Sequence, residues 1–137
     1  MSDMNAALNV AASGLRAQTA RMKVIAENIA NANSTAPNPD ANPYQRKVSV
    51  FGQVLNRENG TTEVKMTKVQ NDTSDFRLRY DPTHPGANAE GYVKLPNVNT
   101  LIESLDMREA QRAYEANLNV VESARAMMSR TLDLLRR

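Results

Sequence analysis

Long apolar-periodic stretches occupy both ends of this 137-residue chain, about Met4 to Ala32 and Asn99 to Leu135, with a Pro- and Gly-punctuated, β-like segment between them. In the first stretch Met4, Leu8, Ala11, Leu15, Gln18, Met22, Ile25, Ile29 and Ala32 recur at alternating steps of four and three. This is heptad spacing with one polar break at Gln18. In the second, Met107, Ala110, Tyr114, Leu118, Val121, Ala124, Met128, Leu132 and Leu135 keep steps of three or four and share one helix face. At about 1.5 Å rise per residue the helices span roughly 45 and 55 Å. Helices that long outrun a small globular core, so their narrow seams must be buried on each other or on neighbouring subunits. The pattern describes a subunit that assembles through a coiled coil, not one that encloses an active site.

The punctuation between the seams divides the chain into an assembly helix over 1–33, a Pro-containing linker with a small β-rich segment over 34–96, and a second assembly helix over 97–137. The fold class expected is therefore α+β, with the terminal helices paired and the β segment inserted between them. Ser2 or Asp3 offers an N-cap to the first helix, and the run Asn28 to Ser34 followed by Pro37 ends it. Gly14 lies in the helix interior, where glycine costs about 1 kcal/mol against alanine. Either a close helix approach at Ala11, Gly14 and Leu15 explains it, or the helix tolerates it.

The stretch STAPNPDANP, residues 34–43, reads as an extended linker. Strands are expected over 44–51, 63–70, 75–80 and 92–95, the first two joined as a hairpin by the NRENG turn of 56–60, with a loop over 81–91. Asn97 or Asn99 caps the last helix, with Glu103 and Asp106 near its positive end and Arg136 and Arg137 at its negative end. Glu109 with Arg112, Glu122 with Arg125 and Asp133 with Arg137 supply short-range ion pairs on its wet face.

Composition removes several function classes. The 17 basic and 15 acidic residues leave +2, spread as +1, +1 and 0 over 1–33, 34–94 and 95–137. No segment concentrates positive charge as a phosphate-binding face does, so nucleic acid is not an expected partner. Cysteine is absent, and the single histidine, His84, sits in the DPTHPGA loop with no converging ligands, so no metal or cofactor is expected. The glycines form no phosphate-cradling motif, and no nucleophile with a base is indicated, so neither a catalytic residue nor a small-molecule substrate is assigned. The N-terminus lacks a basic region followed by an unbroken apolar run, and no stretch approaches a membrane span. A cleaved signal peptide and a transmembrane segment are therefore not expected. Met107, Met127 and Met128 read as seam packing, and the mixed-charge polar faces do not favour a membrane-surface helix.

Residues 12–33, ASGLRAQTARMKVIAENIANAN, resemble the N-terminal motif of flagellar rod, hook and hook-associated proteins, in which a Gly-Leu helix start leads to an Asn-Ile-Ala-Asn end. The second half, DPTHPGANAEGYVKLPNVN over 81–99 and ESLDMREAQRAYEANLNVVESARAM over 103–127, resembles proximal-rod members of that family in the bacterial flagellar basal body. The linker and the strands from Ser49 to Ser74 match only in general character.

The resemblance implies a structural subunit whose paired terminal helices line an inner tube and whose middle segment faces outward, assembling head to tail as a helical array. It implies copies of itself and other rod proteins as partners, export by the flagellar type III apparatus without a cleaved signal, and a place in the rod that crosses the periplasm. Ordering on assembly is then the mechanism, with loosely folded termini recovering their lost conformational freedom through buried apolar area. On the heptads, Leu8, Leu15, Met22, Ile25, Ile29, Leu118, Val121, Met128, Leu132 and Leu135 are the expected assembly interface, and Asn28, Asn31 and Asn117 the expected polar contacts between helices. A regulatory or chaperone-like coiled-coil protein would use the same heptads, but has little use for a strand insert behind a Pro-rich hinge.

Overall fold

The computed structural model describes residues 2–136, in the order α1 (Ser2–Ala30), β1 (Lys47–Asn56), β2 (Thr61–Asn71), β3 (Arg77–Tyr80), β4 (Tyr92–Leu95) and α2 (Thr100–Leu135). The α+β architecture expected from the pattern is the one observed: a long helix at each end and two small sheets between. The cap assigned to Ser2 concerns a side chain outside the described ones, and Arg137, with its pair to Asp133, also lies outside the described residues.

Side chains punctuate both helices. At the end of α1, Asn31 donates through Nδ2 to the Glu27 carbonyl at 2.8 Å, and the Ser34 hydroxyl donates to the Asn31 carbonyl at 2.9 Å, each adding a second donor to a carbonyl that already accepts a backbone amide. At the start of α2, Asn99 Oδ1 accepts from the amides of Leu101 and Ile102 at 3.1 and 3.4 Å, so Asn99 rather than Asn97 is the cap.

β1 and β2 pair through a four-residue connection, which permits only antiparallel pairing. Its turn is set by Asn56 Oδ1 accepting the Glu58 amide at 3.0 Å and by Gly60, which takes a φ of 70°. The first arm starts later than alternation suggested, at Lys47, and both run further, to Asn56 and Asn71, β1 mostly half-buried and β2 mostly exposed. β3 and β4 pair antiparallel with Arg77 opposite Leu95, Leu78 opposite Lys94, Arg79 opposite Val93 and Tyr80 opposite Tyr92. Their register turns Val93 and Leu95 inward and leaves Leu78, Tyr80 and Tyr92 exposed. Across that outer face the rings of Tyr80 and Tyr92 meet edge to face, 5.4 Å between centroids.

Internal contacts divide the chain into two units, and both helices contribute to each. Unit 1 comprises Met1–Met22, Val50–Lys68 and Arg108–Arg137. Its described buried residues are all small: Ala11, Ser13, Ala17, Thr61, Ala110 and Ala124. Ser13 donates to the Val10 carbonyl at 2.7 Å and accepts the Val64 amide at 3.2 Å, which ties the hairpin to α1. A Cβ on Gly14 would come within 2.7 Å of Asn117 Nδ2, so the glycine marks a close approach of α1 and α2. Arg21 reaches Glu109 at 3.6 Å, while neither Glu109 with Arg112 nor Glu122 with Arg125 closes as an ion pair among the described residues. Partners descend along α2 as positions rise along α1, so the helices run antiparallel.

Gly14→Ala therefore forces Asn117 to abandon its 3.0 Å bond to the Ala113 carbonyl. The expected result is a loss of about 1 kcal/mol in helix-pair stability, net of the better helix propensity of alanine. The double variant with Asn117→Ala should recover it, as read by denaturation followed through the helical circular-dichroism signal.

Unit 2 comprises Lys23–Ser49 and Val69–Met107. It buries Val24, Ile25, Ala32, Ala36, Val93, Leu95 and Val98, together with the polar Asn28 and Glu103. The 34–37 segment is fastened to the 81–87 loop by His84, whose Nδ1 accepts the Gly86 amide at 2.8 Å. That leaves the ring proton on Nε2, 3.0 Å from the Thr35 hydroxyl, which accepts it. His84 is a structural tie, and no cluster of potential metal ligands exists among the described residues.

Candidate assembly interface

The most densely bonded place in unit 2 is built around Arg46, just ahead of β1. Glu103, in the first turn of α2, is 1% exposed and accepts a hydrogen bond from Arg46 Nε on Oε1. Arg46 Nη1 lies 3.3 Å from Asp72, and Nη2 lies 3.8 Å from Asp106. Burial pulls the Arg46 pKa down, but bonding to Glu103 and then Asp72 outweighs this and holds it above its ordinary value.

Asn28, near the end of α1, completes the cluster. Its Nδ2 donates to the Lys47 carbonyl at 2.8 Å and to Glu103 Oε2 at 3.3 Å, while Oδ1 accepts the Lys47 amide at 2.9 Å and the Tyr44 hydroxyl at 2.7 Å. A carboxamide bonded to both backbone groups of Lys47 mimics one rung of a β ladder. Burial, then the charges of Glu27 and Glu103, push the Tyr44 pKa up and keep its hydroxyl a donor. Asn97, displaced from capping duty, accepts the Arg46 amide at 2.8 Å and donates to the carbonyls of Asp72 and Ser74 at 3.0 and 3.1 Å.

Asp72 is held below the ordinary aspartate value of 3.8, chiefly by the Ser74 amide at 2.8 Å and the Ser74 hydroxyl, with Arg46 adding to them against a smaller opposing effect of burial. A carboxyl depressed in the native state stabilises the fold above its unfolded pKa, and that contribution disappears as pH falls through the native value. Stability carried by Asp72 should thus persist from pH 7 down to about 4 and be lost below it. Urea midpoints at pH 7 and pH 3 should differ less in Asp72→Asn than in the parent chain.

The residues expected to form the interface fall into two groups. Ile25 is buried within unit 2, and Leu8, Leu15, Met22, Val121 and Met128 are half-buried in unit 1. Ile29, Leu118, Leu132 and Leu135 are exposed, from 36% at Ile29 to 75% at Leu135. Among the three asparagines, Asn28 joins α1 to Lys47 and Glu103, Asn117 packs against Gly14, and Asn31 bonds within the end of α1.

Further apolar side chains stand in water on α2, including Leu101, Ile102, Leu105, Val120, Met127 and Leu134. In unit 1, Met4, Ala7, Val120, Ala124 and Met127 line an open groove of about 370 Å³ between the helices. Apolar exposure on this scale marks an association surface. Among the described residues no helix is long and apolar enough to cross a membrane.

Sequence periodicity gave no sign of the Arg46 cluster, which draws on five separated segments. The only hints were a charged first turn in α2 and two asparagines ahead of it.

Comparison with known proteins agrees with the helical ends. The family described as flagella basal body rod protein matches residues 8–36, and the C-terminal region of flagellar basal body rod FlgEFG proteins matches residues 89–134. The chain is 47% identical to the flagellar basal-body rod protein FlgC of Agrobacterium fabrum, over 99% of this chain and 98% of the relative. It is 40% identical to the FlgC of Bacillus subtilis, over 93% and 95%, and 39% identical to that of Salmonella typhimurium, over 92% and 93%. With similarity of this degree running nearly end to end, and the family matches falling on the two helices that build both units, the chain belongs to the flagellar basal-body rod protein FlgC family.

Proposed function

We propose that this chain is a structural subunit of the proximal rod of the flagellar basal body, where it packs through its terminal helices against copies of itself and other rod proteins and carries torque across the cell envelope. It acts by assembly and catalyses nothing. It reaches the periplasm through the flagellar type III export apparatus without a cleaved signal peptide. The reading is supported above all by α2, which pairs with α1 while Leu101, Leu105 and Met127 stay exposed off its apolar seam and Leu118, Leu132 and Leu135 stay exposed on the seam itself. A free monomer has no use for such rows, whereas a helix surrounded by neighbours buries them at roughly 25 cal/mol per Å². Leu8, Leu15, Met22, Ile25, Val121 and Met128 hold the two helices together within the subunit, and Ile29, Leu118, Leu132 and Leu135 meet the neighbours.

The test is the protein inventory of purified basal bodies stripped of hook and filament. Mass spectrometry should find this chain there with its N-terminal peptide intact. A chain confined to the cytoplasm, or one that has lost its N-terminus during export, contradicts the proposal.

A further inference from the structure

Asn59, in the turn between β1 and β2, is the one asparagine of the chain followed by glycine. An asparagine carboxamide can close a five-membered ring onto the amide nitrogen of the next residue, and glycine, with no Cβ, leaves that nitrogen unshielded. Both residues are exposed, and a Cβ on Gly60 would meet nothing within 4 Å. The two reacting groups are nevertheless held in other bonds. The Gly60 amide donates to the Asn56 carbonyl at 2.8 Å, while Asn59 Oδ1 accepts from the Thr61 amide at 3.0 Å and from the Thr61 hydroxyl. Asn56 braces the turn with both ends of its carboxamide: Oδ1 accepts the Glu58 amide at 3.0 Å, and Nδ2 donates to Glu63 Oε1 at 3.0 Å.

We propose that Asn59 is a deamidation site gated by its own turn, closed while the hairpin is folded and open in the unfolded chain. The Gly60 amide nitrogen gives its proton to water and attacks Cγ of Asn59. A bond forms from that nitrogen to Cγ, the Cγ–Nδ2 bond breaks, and Nδ2 leaves as ammonia, taking a proton back from water. Water then opens the succinimide. Cleavage between the nitrogen and Cγ yields aspartate, and cleavage between the nitrogen and the main-chain carbonyl of Asn59 yields isoaspartate, whose backbone runs through Cβ and Cγ. Either product puts a negative charge into a turn that already carries Glu58 and is braced by Glu63, and isoaspartate also lengthens the turn. Loss of the Gly60 amide proton is also the first step of base-catalysed hydrogen exchange, so deamidation waits on the same opening of the 2.8 Å bond to Asn56. With Asn59 and Gly60 exposed, that opening is local to the turn.

Peptide mapping by mass spectrometry on the full-length chain, aged in mildly alkaline buffer with and without concentrated urea, tests this. In urea Asn59 should exchange its NH2 for OH sooner than any other asparagine, and in the folded chain it should do so at least about tenfold more slowly than in urea. No conversion at Asn59 in urea, or equal rates in the two conditions, overturns the proposal. Gly60→Ala, compared in urea where its fold is irrelevant, should slow conversion at least about tenfold by shielding the nitrogen. An unchanged rate there would mean direct hydrolysis of the carboxamide and would overturn the succinimide route. Asn56→Ala should raise the folded-state rate at least about threefold and leave the rate in urea where it was. An unchanged folded-state rate in that variant removes the turn as the gate.

Discussion

Replacing Arg46 with methionine is expected to destabilise the chain by about 3–5 kcal/mol, because it strands a buried carboxylate. Glu103 is enclosed and would keep only the 3.3 Å bond from Asn28, whereas Asp72 and Asp106, with 27% and 34% of their side chains exposed, can turn to water. The penalty comes from the charge left behind, not from the loss of arginine packing. The double variant Arg46→Met with Glu103→Gln should therefore recover a large part of it. Urea midpoints of the four proteins form a double-mutant cycle. An Arg46→Met midpoint within about 0.5 kcal/mol of the parent would show that the cluster contributes no more than an ordinary surface pair.

The second large effect separates folding from assembly. Ile25→Asp puts a carboxylate at a position 5% exposed, where unpaired charge is costly, and should both unfold unit 2 and abolish incorporation into rods. Leu118→Asp changes a side chain already 37% exposed, so stability should move by no more than about 0.5 kcal/mol. Incorporation should nevertheless be lost, because the new charge meets a neighbour's apolar face. Denaturation midpoints and the yield of rods from complemented cells read the two properties apart. Normal rods containing Leu118→Asp would remove Leu118 from the interface.

Both helices, the hairpin and its turn, and the loop entering β4 were legible because each rests on local rules: heptad spacing, an Asn- and Gly-containing turn, and proline punctuation. The choice between neighbouring positions was not. Asn117 approaches Gly14 while Leu118 stays 37% exposed, and apolar letters alone cannot weigh a small residue against a polar one across a close contact. Asn97 looked as good a cap as Asn99, and only the partners at Arg46, Asp72 and Ser74 decide between them. The Arg46 cluster was illegible for the same reason. Its members come from both helices and from the chain between them, and no spacing rule links residues that far apart in sequence. Division of each helix between two units is equally silent in the sequence, since the apolar period runs through Met22 and Met107 without a break.

Electron microscopy of detergent-extracted basal bodies, from cells with and without the gene and from the complemented strain, tests the central claim most directly. The account predicts that deletion leaves the membrane ring without rod or hook and that complementation restores both. Complete rods and hooks in the deletion strain would contradict it and leave the paired helices to a regulatory or chaperone-like role.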